Sequence, residues 1–139
     1  DEALVVESAK RLAMELLHEA LCEFGQDLKH EQMLTELIAD ILIDIFTTES
    51  TLVRVHNNHD SATHFDIIDA IAKVQTAEMS TRVISRSLTG FNRVLSGNIP
   101  DNMKNKIDIL RNKMDLSMDV IVQKRHIAES VSQINSYPF

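Results

Sequence analysis

Glu15 and His18 stand three residues apart on what the surrounding periodicity makes a helix. This Glu-x-x-His spacing is the one by which di-iron helical bundles hold metal, but that chemistry takes two such motifs and two further inward-facing glutamates. The chain has no second Glu-x-x-His, and both residues fall off the apolar stripe of their helix. A solvated face is therefore the expectation. His56, His59 and His64, with Asp60 among them, form a second cluster of metal-ligand types. They fall in a turn and a helix start, where polar residues cap backbone groups, and no cysteine is near to complete a four-ligand zinc set. Cys22 is the only cysteine. A thiol nucleophile would need a base beside it, and a lone helical cysteine is expected to be a small packing side chain. Arg82, Arg86 and Arg93 line one side of a helix at steps of four and seven; an intramolecular ion-pair face is expected rather than an anion site. Neither a Gly-x-Ser-x-Gly elbow nor a Gly-x-Gly-x-x-Gly turn occurs. No residue is assigned a catalytic, cofactor-binding or metal-binding role.

The elements that would position these side chains are helices. Val5, Ala9, Leu12, Ala13, Leu16, Leu17, Ala20, Leu21, Phe24 and Leu28 recur at steps of three and four, which predicts an amphipathic helix over about residues 3–27, ended near Gly25. A second helix is predicted from Glu31 to His56. Met33, Leu34, Leu37, Ile38, Ile41, Leu42, Ile45, Phe46, Leu52 and Val53 give it an apolar arc that Ala39 and Ile43 widen further. So broad an arc predicts the central helix of the bundle, with Ile41 and Leu42 in its core. Thr63 and Asp66 resemble a capping box for a third helix, which Gly97, Asn98 and Pro100 end. Asp101 is expected to cap a fourth, and a break over 115–118 precedes a last helix from Asp119. The reading is all-α: one domain over residues 1–139, an antiparallel up-and-down bundle of four to five helices.

Composition agrees and sets limits. Three glycines and two prolines are too few for the turns of a many-stranded sheet. Residues 1–60 hold thirteen acidic and four basic side chains, and residues 61–139 hold eight and ten, which together make the net charge of −7. Such a balance repels phosphate backbones, so no nucleic-acid partner is expected. No apolar run is long enough for a transmembrane segment. The six methionines read as core filler first and as an adaptable contact surface second. A chain that opens on Asp1 and enters a helix almost at once is expected to be a fragment or a processed product.

Family likeness enters through the second helix. It reads His30-Glu31-Gln32-Met33-Leu34, then Leu37-Ile38-Ala39-Asp40, Ile43-Asp44, and Glu49-Ser50-Thr51-Leu52-Val53-Arg54. This resembles the additional C-terminal helical domain of very-long-chain-type acyl-CoA dehydrogenases, including their bacterial long-chain members. The pattern there is approximately Asn-Glu-Gln, Leu-Ala-Asp, Ile-Asp and a later arginine. His30 replaces the Asn, and Ile38 stands where Leu is more frequent. The segment Lys124-Arg125-His126-Ile127-Ala128-Glu129 through Tyr137-Pro138-Phe139 is similar to the tail of bacterial members. Ala39 and Ala128 would allow close helix approach, and Asp40, Asp44 and Arg54 would serve as polar anchors.

The resemblance implies a non-catalytic domain that packs on the dehydrogenase core of the same chain and supports a homodimer. The intact enzyme would use FAD to oxidise fatty acyl-CoA in β-oxidation. It would be cytoplasmic in a bacterium and on the matrix side of the mitochondrion in a eukaryote. No cofactor is expected in this fragment, because the base and flavin-binding segments belong to the preceding domains. The surface that meets the core is expected to expose Leu4, Val6, Leu116, Met118 and Phe139. The rival reading is a free-standing helical protein-interaction module; a small metal-dependent enzyme is a third.

Overall fold

The computed structural model describes residues 1–60 and 64–135, and the order of elements is entirely helical among them. α1 spans Glu2–Phe24, α2 Gln32–Asn57, α3 Phe65–Val94, α4 Asp101–Lys113 and α5 Val120–Ile134. A 3-10 turn over Gly25–His30 joins α1 to α2. This is the expected all-α bundle, with five helices.

Local chemistry sets the helix ends. Asp1 caps α1, its carboxylate accepting from the Ala3 amide at 2.9 Å, and Gly25 stops the helix at a φ of 53°. The last helix begins at Val120, one residue after the expected start at Asp119, which is its cap and accepts from the Val122 amide at 3.0 Å. The fourth helix starts one residue earlier than expected: Pro100 is its cap and Asp101 lies in its first turn. Thr63 of the proposed capping box lies outside the described residues, and α3 begins after His64 without a side-chain cap.

Cross-helix ion pairs report the directions of the first three helices. Lys10 near the start of α1 meets Glu49 late in α2. Glu31 ahead of α2 meets Arg93 at the end of α3, Asp44 meets Arg82, and Thr51 bonds Gln75. Numbers fall on α3 as they rise on α2, so the two run antiparallel.

The core gathers Leu12, Leu16, Ile41, Met79, Val83 and Phe91, with Met103, Ile107, Leu110 and Met114 closing one end. A second, smaller cluster of Val55, Ile68 and Ala72 packs under the turn between α2 and α3. Contrary to the expectation from its arc, α2 is not the centre. It buries six residues where α3 buries thirteen and α1 eight. Among the described residues, α1 and α3 each pack against three other helices, whereas α2 packs chiefly against those two and the 3-10 turn. Half of the α2 arc faces outward. Ile41 is 1% exposed, as expected, but Leu42 is 44% exposed and is no core residue.

Where α3 crosses α1 and α2, residue 90 must be glycine. A Cβ there would stand 2.7 and 2.9 Å from the Leu16 methyl carbons and 3.2 Å from one of Leu37. Leu16 is fully buried and cannot withdraw freely. Gly90→Ala is expected to gain about 1 kcal/mol of helix propensity and lose about 2 to overpacking. A net loss of stability in a urea titration is the result that checks it.

Candidate functional surfaces

The side chains singled out for chemistry do not converge. Glu15 reaches across to Lys106 of α4 at 3.2 Å, while His18 turns along α1 toward the Cys22 thiol at 3.6 Å. Cys22 is exposed, not packed, which corrects the expectation of a small buried side chain. His59 contacts Asp60 at 3.0 Å and stacks edge-on with Phe65, ring centres 4.3 Å apart. That arrangement closes the α2–α3 turn and engages His59 within it. Among the described residues no three His, Cys, Asp or Glu side chains stand close enough to share a metal ion.

The three arginines of α3 do form an intramolecular ion-pair face. Arg82 grips Asp44 with two bonds, Nε to Oδ2 at 2.9 Å and Nη2 to Oδ1 at 2.8 Å. Arg86 adds a third at 2.5 Å. The Arg82 hydrogen bonds hold the Asp44 carboxyl below its ordinary range, against a partial burial that pushes the other way. The same bonds raise Arg82. Arg93 bonds Glu31 at 2.7 Å and lies 5.2 Å over the Phe24 ring. Asp44 was legible as a polar anchor. That it anchors α3, through two arginines, depends on a register that only the fold provides.

A groove of about 650 Å³ lies between α3, the end of α4 and the 115–118 break. Several of its polar groups are engaged in structure. Ser80 donates to the Met114 carbonyl at 2.8 Å, Asp115 accepts from the Ser117 amide at 2.8 Å, and Asp108 faces Arg111 at 4.0 Å. No nucleophile and base stand together in it.

The expected docking residues divide. Leu4 is exposed at 46%, but Val6 is buried at 4% in the main core. Leu116 is half-buried against that core, and Met118 is half-buried. The stripe of α1 takes in Val6, and the break folds Leu116 inward over α3 and α4; neither is a free surface. Phe139 lies outside the described residues. The exposed apolar side chains that sequence reasoning missed are instead Phe46, Ile43 and Val53 on α2, Met14 and Leu21 on α1, Ile109 on α4, and Ile121 on α5. On α2 they form a row of their own, hidden in the sequence because it interleaves with the buried one.

None of the helices is long and apolar enough to cross a membrane, among the described residues. No curated protein sequence matches significantly. In fold the chain is similar to the crystal structure of an acyl-CoA dehydrogenase complexed with FAD from Bacillus anthracis, with a TM-score of 0.85 at 19% identity. The likeness covers 99% of this chain and 24% of that one, so the chain spans about a quarter of the length of the structure it matches. The family model for the acyl-CoA dehydrogenase C-terminal domain matches residues 8–112, most of α1 through nearly all of α4, and the chain belongs to that family.

Proposed function

We propose that residues 1–139 are one non-catalytic domain of a longer, FAD-dependent acyl-CoA dehydrogenase of fatty acid β-oxidation. The domain packs on the dehydrogenase core of the same chain and supports a homodimer. It belongs in the cytoplasm of a bacterium or on the matrix side of a mitochondrion. The observation that carries this reading is that almost the whole chain superposes on a quarter of a flavin-containing dehydrogenase. Its exposed apolar rows on α1 and α2 support a domain that is covered on more than one side.

The chain's own residues do not fit a flavin dinucleotide. A pyrophosphate is held by glycine-rich backbone at a helix N-terminus. Here Gly25 and Gly97 follow the C-terminal ends of α1 and α3, where the helix dipole is negative. Gly90 is filled over by Leu16. FAD is therefore assigned to the core and no step is derived through it.

Two measurements test the reading. The purified chain is expected to be colourless and unable to reduce an electron acceptor with any acyl-CoA. Flavin bound in stoichiometric amount would overturn the assignment. Sequencing the open reading frame should find a dehydrogenase module in frame with the chain, and its absence would favour a free-standing interaction module.

A further inference from the structure

We propose that α2 pairs antiparallel with α2 of a second copy of this chain, through the outer row Ala39, Ile43, Phe46, Ser50 and Val53. The proposal deepens the homodimer reading above and rests on it. These five residues step along the helix by four, three, four and three, the repeat of a coiled-coil seam. The row is exposed throughout, with Phe46 at 71%, Ile43 at 62% and Val53 at 53%. The opposite face of the same helix, with Leu34, Ile38, Ile41, Ile45 and Thr48, is buried in the bundle. Two rows on one helix serve two neighbours, and only the inner one is occupied within the chain.

Complementarity within the row itself points to a second copy. An antiparallel pair places the first seam position of each heptad opposite the second of its partner. In the register centred on Thr48, Phe46 then faces Ser50 of the second copy and Ile43 faces Val53 of the second copy. The bulkiest side chain meets a small one, twice over, as interdigitated packing requires. Charge follows the same register. Asp40 and Arg54 lie on one flank, each next to the seam, and neither has an ion pair or side-chain hydrogen bond among the described residues. Antiparallel pairing brings Asp40 beside Arg54 of the second copy, and the two-fold axis repeats the pair. A parallel pair would leave Asp40 and Arg54 two heptads apart along the seam, with no contact between them. On the other flank Glu49 faces its own copy with its charge matched by Lys10.

Sedimentation velocity of the 139-residue chain over a concentration series tests the seam. The unaltered chain is expected to be a concentration-dependent dimer. Phe46→Asp is expected to weaken it by about tenfold or more, because a central aromatic anchor is lost to a charge. Asp40→Arg and Arg54→Asp should each weaken it by about threefold, and the double exchange should restore it to within about twofold. All three positions are solvent-facing, so circular dichroism should show unchanged helix content in every variant. A dimer indifferent to these substitutions would overturn the α2 seam and leave the homodimer reading standing. A chain that stays monomeric to the highest concentrations would overturn both.

Discussion

Phe91→Ala is expected to lose about 3–5 kcal/mol of stability, and Phe46→Ala less than about 0.5 when measured in dilute solution. The substitution is the same and the two sites differ only in surroundings. Phe91 is fully buried, on the face of α3 that carries Val83 and Met79 into the core, one residue after the glycine that lets α1 and α2 close in. Removing its ring opens a void that tightly packed neighbours cannot fill, so transfer and cavity terms add. Phe46 is 71% exposed and its ring already stands in water. Urea titrations of the two variants, at a concentration that keeps any dimer apart, read the contrast directly. Comparable losses at both positions would mean that α2 buries the opposite face from the one described.

Asp44→Ala is expected to cost about 2 kcal/mol at neutral pH, a figure already reduced for the partial exposure of the arginines. It removes three charge-assisted bonds at once and leaves Arg82 and Arg86 side by side on one face of α3 without their shared counter-charge. The pH dependence has a definite sign. Asp44 is held below its ordinary pKa of 3.8 by the arginines, so its stabilisation is fully present above that value. It is lost as the pH falls through the lower folded value. The native chain should therefore lose stability below about pH 4 more steeply than Asp44→Ala does. Parallel acid-limb curves for the two proteins would show that the cluster contributes nothing.

These contrasts mark where the sequence was informative. Helix number and type were legible because each segment carries a three-and-four repeat, and the caps at Gly25 and Asp119 follow from residue chemistry alone. The outer face of α2 was not separated from the inner one. Ile41 and Leu42 are adjacent and equally apolar, and only the position of α3 decides which turns inward. The steps of four and three through Ala39, Ile43, Phe46, Ser50 and Val53 were present, but Ser50 reads as a gap until exposure shows the row. Val6 and Leu116 failed as surface candidates for the converse reason. Each was judged by nearness to an end or a break, whereas burial follows the neighbour that arrives from elsewhere in the chain. Gly90 carried no local signal, since a glycine inside a helix is explained only by what presses on it.

α5 stands apart from everything else in the bundle. None of its fifteen residues is buried, it leans on α3, and Lys124–Glu78 is its one ion pair to that helix among the described residues. The family match ends at residue 112, before α5 begins. α5 adds no buried residue to the core that α1 and α3 share, so the packing of that core does not depend on it. The groove whose wall includes Met118 and Val120 is thus bounded on one side by the helix that the core holds least.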